Sequence, residues 1–317
     1  MGASYRFYVS TFFFFFLNGR PKCLLFKHYT HSFITITRNQ FIPKRLLSTR
    51  PTLHPWWLTG FLDAEGCFTI NLVKSSNSTT GWGVKLCFCL GLHKKDKELL
   101  ELIKINLGVG KIYIQSGLQS FQLQVESIKE IDKIVQHLSK FTLITNKRAD
   151  YELWKKAFDI IQKGEHLTID GLNQIAGLKE KINLCRLSPK LESAFPNRTP
   201  VERPLVKNQK IQDPNWLAGF TSGDGCFLIY IAKNNKSRLG SKMQLNFKLT
   251  QHCRDELLMR SLIEYFNCGN VYLRGDALDF RVAKFTDIEN KIIPFYKKYP
   301  INPPSDSPIL DWGVGGG

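Results

Sequence analysis

Residues Leu58 to Phe68 read LTGFLDAEGCF, and the pattern recurs as LAGFTSGDGCF from Leu217 to Phe227. In each copy an apolar run ends on an acid followed by glycine, Glu65–Gly66 and Asp224–Gly225. The chain then changes to strand-like runs, CFTINLV (Cys67 to Val73) and CFLIYIA (Cys226 to Ala232). An acid on the last turn of a helix sits at the wrong end of the helix dipole. A single copy reads as a solvated acid at a helix stop; two copies in matched frames call for another explanation. Gly60 and Ala64 lie four apart on one helix face, as do Gly219 and Gly223. Small residues there let two helix backbones approach closely. Packed together, the two helices bring Glu65 and Asp224 side by side, where the charges repel. Divalent cations reverse that sign, and Mg²⁺ binds carboxylate and carbonyl oxygens with few protein ligands. The expected metal set is Glu65, Asp224 and the carbonyls of Ala64 and Gly223. Asp63 is not repeated, because Ser222 takes its place, so it reads as a capping or hydrogen-bonding residue.

The repeat extends outward from the two acids. LCFCLGLHKKDKELL from Leu86 matches LNFKLTQHCRDELLM from Leu245, each reading as strand, turn and helix. His93 and His252 fall at the turns and read as structural. Asp96 and Asp255 fall near helix starts, where negative charge is favoured. GVGKIYIQSGLQSFQLQV (Gly108 to Val125) matches CGNVYLRGDALDFRV (Cys268 to Val282), and both read as hairpins followed by helices. Each half is therefore expected to be an α+β unit with a four-stranded antiparallel sheet. The expected divisions are a leader over 1–54, a first domain over 55–187, a Pro- and Ser-bearing linker over 188–214, a second domain over 215–302 and an atypical tail over 303–317.

Charge narrows the partner. The chain of 317 residues carries a formal net charge of +17, which suggests a polyanion, nucleic acid before anionic membrane. Residues 1–55 hold 8 Lys or Arg and no acid, leaving 36 basic against 27 acidic residues in the rest. The basic excess therefore belongs to the core as well as the leader. The leader reads as a mitochondrial transit peptide, with a secretory signal or translated flanking sequence as alternatives; its Phe12 to Phe16 run is too short to span a bilayer. The 8 cysteines contain no CxxC pair, and the expected state is reduced thiols rather than zinc or disulfides. No helix-turn-helix or zinc-finger spacing is present.

The two motifs, with LHKKD, EHLTIDGL, AFP, DPNWLAGF, LTQH and DIENKIIPFYKKYPI, resemble the LAGLIDADG homing endonucleases, of the single-chain, two-motif type of fungal mitochondrial introns. The resemblance runs over about 56–301. It implies a pseudo-twofold pair of domains acting as a monomer on double-stranded DNA. It implies cutting of both strands of a long asymmetric site with 3′ overhangs, and metal binding by Glu65 and Asp224, with Mg²⁺ supporting cleavage and Ca²⁺ supporting binding alone. A membrane role is not expected. Some relatives act instead on group I intron RNA as maturases, and a catalytically inactive DNA-binding protein is the other alternative. Lys284 matches a lysine that the family places near the scissile phosphates; its repeat counterpart is Ser127. Gln251 is a further candidate for the centre, with Leu92 as counterpart.

A sheet with one solvated face presents alternate residues to base edges. On this reading the DNA-facing set is Thr69, Asn71, Lys85, Gln122, Gln124, Tyr230, Lys242, Gln244, Asn246, Lys248, Arg274 and Arg281. Lys74, Lys233, Asn234, Asn235 and Lys236 read as phosphate-contacting loops. After KKYPI the chain reads NPPSDSPILDWGVGGG, whose prolines and glycines argue against the final helix that the resemblance implies.

Overall fold

The computed structural model describes residues 52–115, 119–184, 186–233 and 240–301, with two short strands nearer the N-terminus. Those strands, β1 (Phe15–Leu17) and β2 (Arg20–Lys22), pair antiparallel and form a unit of their own. Most of the expected leader lies outside the described residues, as do Asn234, Asn235, Lys236 and the tail 303–317. Leu53, placed in that leader by the sequence, is instead buried in the first core and donates its N–H to Asn106 at 2.8 Å.

In the main unit, helix α1 (Pro55–Glu65) opens on a proline, whose missing N–H costs nothing in a first turn. Strands β3 (Gly66–Lys74) and β4 (Trp82–His93) follow as a hairpin. Helix α2 (Lys97–Leu107), strands β5 (Lys111–Gln115) and β6 (Ser120–Val125) and helix α3 (Ile128–Lys140) complete the first repeat. The sheet runs β3-β4-β6-β5 and is antiparallel throughout. Helices α4 (Lys147–Gln162), α5 (Ile169–Lys181) and α6 (Pro189–Ala194) are then added.

The second repeat begins with α7 (Pro214–Asp224), β7 (Gly225–Lys233), β8 (Ser241–His252) and α8 (Glu256–Phe266). Strands β9 (Asn270–Arg274) and β10 (Ala277–Val282) complete a sheet of order β7-β8-β10-β9. Helix α9 (Phe285–Asp287) continues through a π-helical turn at Ile288–Ile292 into α10 (Ile293–Lys298).

Alternate residues of each sheet are buried beneath the helices. Phe68, Ile70, Leu86, Phe88, Leu90 and Leu123 serve the first core; Phe247, Leu249, Phe280 and Val282 serve the second. Between the cores, α1 and α7 pack on each other as their small residues require. A Cβ added at Gly60 would overlap the Trp216 carbonyl and lie 2.8 Å from the Phe220 nitrogen; one at Gly219 would overlap the Trp57 carbonyl and lie 3.0 Å from the Phe61 nitrogen. The contact is reciprocal, as a pseudo-twofold axis demands.

Two turn expectations hold in detail. His93 accepts a hydrogen bond from the Lys95 N–H, and His252 accepts one from the Arg254 N–H. The stretch 188–214, read as a linker, is packed rather than loose. It contains α6, its Phe195 ring lies 5.1 Å from that of Trp82, and Arg198 makes a two-pronged contact with Glu180. Arg203 pairs with the buried Asp150. No described helix is long and apolar enough to cross a membrane.

Candidate metal and nucleic-acid site

The close crossing of α1 and α7 sets where the motif acids go, because Glu65 and Asp224 are the last residues of these helices. Both are half-buried. A Cβ at Gly223 would clash with the Ala64 methyl and lie 3.1 Å from Glu65 Cγ, so glycine there lets Glu65 lie against the end of the other helix. Burial, reinforced by the charge of Asp224, pushes the Glu65 carboxyl up to about 8. Burial likewise pushes Asp224 up to about 7. The Gln251 amide donates to the Asp224 carboxylate, so Gln251 lies beside the second motif acid.

Asp63 is the structural acid its lone occurrence suggested, and it does more than cap. It accepts from the Ile144 N–H at 2.7 Å, the Thr145 N–H at 3.3 Å, the Thr145 hydroxyl at 2.6 Å and the Trp216 indole N–H at 2.9 Å. Burial pushes its carboxyl up to about 6 against those bonds. The strap it holds runs between the halves. Ile144 is buried in the second core, and the next residue but one, Asn146, donates its backbone N–H to Asp255 at 2.6 Å. Gln209 also donates to Asp255, from within the stretch read as a linker.

Lys147 is the residue that sequence reasoning missed. The strap ends on it, and its ammonium donates to the Ala64 carbonyl at 2.7 Å and reaches the Leu62 carbonyl at 3.5 Å. Its charge lowers the pKa of both Glu65 and Asp224. Lys147 is 83 residues from Ala64 in the chain and lies outside both repeated motifs, so no local pattern marks it. The Ala64 carbonyl, expected as a free ligand, is already hydrogen-bonded.

Among the described residues no cluster of three or more His, Cys, Asp or Glu could hold a metal ion. The donor set at the helix ends is instead all oxygen: two carboxylates and the carbonyls beside them. That chemistry does not suit zinc. It fits a hard divalent cation that takes the rest of its shell from water and phosphate oxygens.

The exposure of the side chains read as DNA-facing varies along the two sheets, and one of them is buried. Asn71, Lys74, Lys85, Tyr230, Lys242, Gln244 and Arg274 are exposed. Thr69, Gln122, Gln124, Lys248 and Arg281 are half-buried, and Gln122 accepts from the Gln115 and Gln124 amides. The Lys233 side chain lies outside the described residues. Asn246 was expected to be exposed but is 2% exposed. Its side chain is short, and the longer Arg281 reaches across from the neighbouring strand and donates to its Oδ1 at 2.7 Å. Asn246 thus orients Arg281 rather than facing solvent. Asp279, unremarked in the sequence, does similar work: it lies 3.7 Å from Lys248 and 3.8 Å from Arg274 and accepts from Thr250.

Lys284 opens α9, as its counterpart Ser127 opens α3. It lines a cleft with Gln244, Asn270, Tyr272 and Arg281 on the polar face of the second sheet. Among the described contacts it bonds neither motif acid. On the first sheet Cys67 stands opposite Cys89 in the register, with Cys87 two residues before Cys89, and all three are free thiols.

The sequence pattern of the LAGLIDADG endonucleases matches residues 58–158 and 217–312. The chain belongs to this family. Similar proteins include the probable intron-encoded endonuclease 3 of Neurospora crassa, 37% identical over 284 residues, covering 87% of this chain and 53% of that protein. An uncharacterized 50.9 kDa protein in ND4 intron 1 of Podospora anserina is 42% identical over 119 residues, 37% of this chain and 26% of its own length. The chain spans about half the length of the first curated relatives it matches. The solved structure of I-SmaMI bound to uncleaved DNA target in the presence of calcium ions matches with a TM-score of 0.77 at 41% identity, covering 80% of this chain and 86% of that one. The two four-stranded sheets and their packed helices are thus those of a two-motif LAGLIDADG protein.

Proposed function

We propose that this LAGLIDADG protein is a site-specific double-strand DNA endonuclease. The observation that carries the reading is the pair of motif acids, Glu65 and Asp224, brought to one place by the α1–α7 crossing between two polar sheet faces. The I-SmaMI structure bound to uncleaved DNA target in the presence of calcium ions supports it. Glu65 and Asp224 would hold the divalent metal, Mg²⁺ for cleavage, with the Gly223 and Ala64 carbonyls beside them. When bound, such an ion polarises the phosphodiester, activates water and steadies the leaving 3′ oxygen. Gln251 fixes the Asp224 carboxylate through its amide. Lys284, at the start of α9 just after β10, offers a cation to phosphate charge near the centre.

The sheet faces supply recognition. Arg281, held by Asn246, and exposed Gln244, Lys242 and Lys85 present donors suited to base edges and phosphates. The net charge of +17 adds affinity that falls steeply with salt. Action in the mitochondrion is supported by the acid-free basic leader and by a relative named for an ND4 intron.

The test is selection from a randomised duplex library in Mg²⁺ and, separately, in Ca²⁺. One long site should be cut in Mg²⁺ and only bound in Ca²⁺. Glu65→Gln or Asp224→Asn should abolish double-strand cutting while binding in Ca²⁺ persists. Undiminished cleavage by either variant refutes the metal assignment.

A further inference from the structure

We infer that Lys147 is a built-in counter-cation for the Glu65–Asp224 pair, held on the Glu65 side by the strap at 143–146. This rests on the proposed metal site but concerns the chain without metal. Two half-buried carboxylates meet where two helix C-termini also point their negative ends. Left alone, that arrangement opposes the α1–α7 packing on which both cores depend. A cation at a helix C-terminus is favourable, and the last carbonyls of a helix lack intrahelical partners. Lys147 meets both needs, chiefly through the Ala64 carbonyl at 2.7 Å, since the Leu62 carbonyl, 3.5 Å away, also accepts from the Gly66 N–H.

Its placement is built. Asp63 and Asp255, both almost wholly buried, fix the strap from opposite halves through Ile144, Thr145 and Asn146. The Lys147 N–H then donates to the Thr145 hydroxyl at 3.2 Å as α4 begins. A flexible surface lysine has no such anchoring. The lysine is also unrepeated in the sequence. Phe141 ends α3 as Tyr299 ends α10. Counted from these, the position of Lys147 falls on Ser305; counted from the motif acids, that of Asp63 falls on Ser222. In the sequence, neither the lysine nor its anchoring acid recurs at the matched positions of the second repeat.

A double-mutant cycle tests this by thermal unfolding of the full chain in EDTA near pH 7.5. Lys147→Met should lower the midpoint by several degrees in the wild-type background. In the Glu65→Gln/Asp224→Asn background it should fold normally and lower the midpoint by less than half as much. Lys147→Arg should restore most of the loss, and millimolar Ca²⁺ should rescue Lys147→Met more than wild type. An equal drop in both backgrounds, or failure to fold in the neutral background, would make Lys147 a packing residue and overturn the inference. Failure of the metal reading looks different: Ca²⁺ would then stabilise neither chain, while the EDTA cycle still reports on Lys147.

Discussion

Replacing Glu65 with glutamine should make the metal-free protein more stable while removing the proposed activity. The Glu65 carboxyl is raised from an ordinary 4.5 to about 8, and Asp224 from 3.8 to about 7, mainly because burial disfavours their charged forms. A folded chain with raised carboxyl pKa values keeps protons that the unfolded chain has released. Stability is therefore greatest below the unfolded values and falls as pH rises through about 4 to 8. A tenfold change in a carboxyl's proton affinity corresponds to about 1.4 kcal/mol. The pair shares one repulsion and keeps one side open to solvent, so the gain from neutralising Glu65 near pH 7.5 is on the order of 2 kcal/mol rather than the full sum. For a unit of this size that is roughly 4–8 °C in midpoint. The assay is thermal unfolding in EDTA from pH 5 to 8, repeated in Ca²⁺. Wild type should lose stability with rising pH in EDTA and regain it in Ca²⁺; Glu65→Gln should show a flatter profile and little response to Ca²⁺. A metal-free wild type whose midpoint does not fall with pH, or a Glu65→Gln chain less stable than wild type at pH 7.5, would refute the reasoning.

Two further variants probe the frame of the site. Gly219→Ala should cost about 3 kcal/mol or more, because its methyl meets the Trp57 backbone rather than a side chain that can move; a loss under about 1 kcal/mol in urea unfolding would mean the helices are not in the close contact described. Arg203→Met should cost about 3–5 kcal/mol, since it leaves the carboxylate of Asp150, itself buried, without its cation. An unchanged urea midpoint would show that the stretch 188–214 contributes no more than a tether.

What local pattern encodes was legible. An apolar run at helical spacing, an acid, a glycine and a β-rich run define the start of each repeat. Residue alternation then defines the buried and solvated faces of the sheets. Small residues four apart announced the α1–α7 contact, because only a missing Cβ permits a backbone to come that near. The two motif acids followed from the same frame.

Tertiary structure alone decided the rest. Lys147 reaches Ala64 because a strap anchored by buried carboxylates from both halves carries it there, and nothing in the residues around position 147 encodes that path. Asn246 alternates correctly for the polar face, yet Arg281 on the adjacent strand covers it. The stretch 188–214 has the composition of a linker, but Phe195, Arg203 and Gln209 find partners in elements already folded. Secondary structure and face polarity follow from neighbours a few residues apart. The depth of a side chain, and which charge stands beside which, depend on residues far apart in sequence that meet only once both cores have formed.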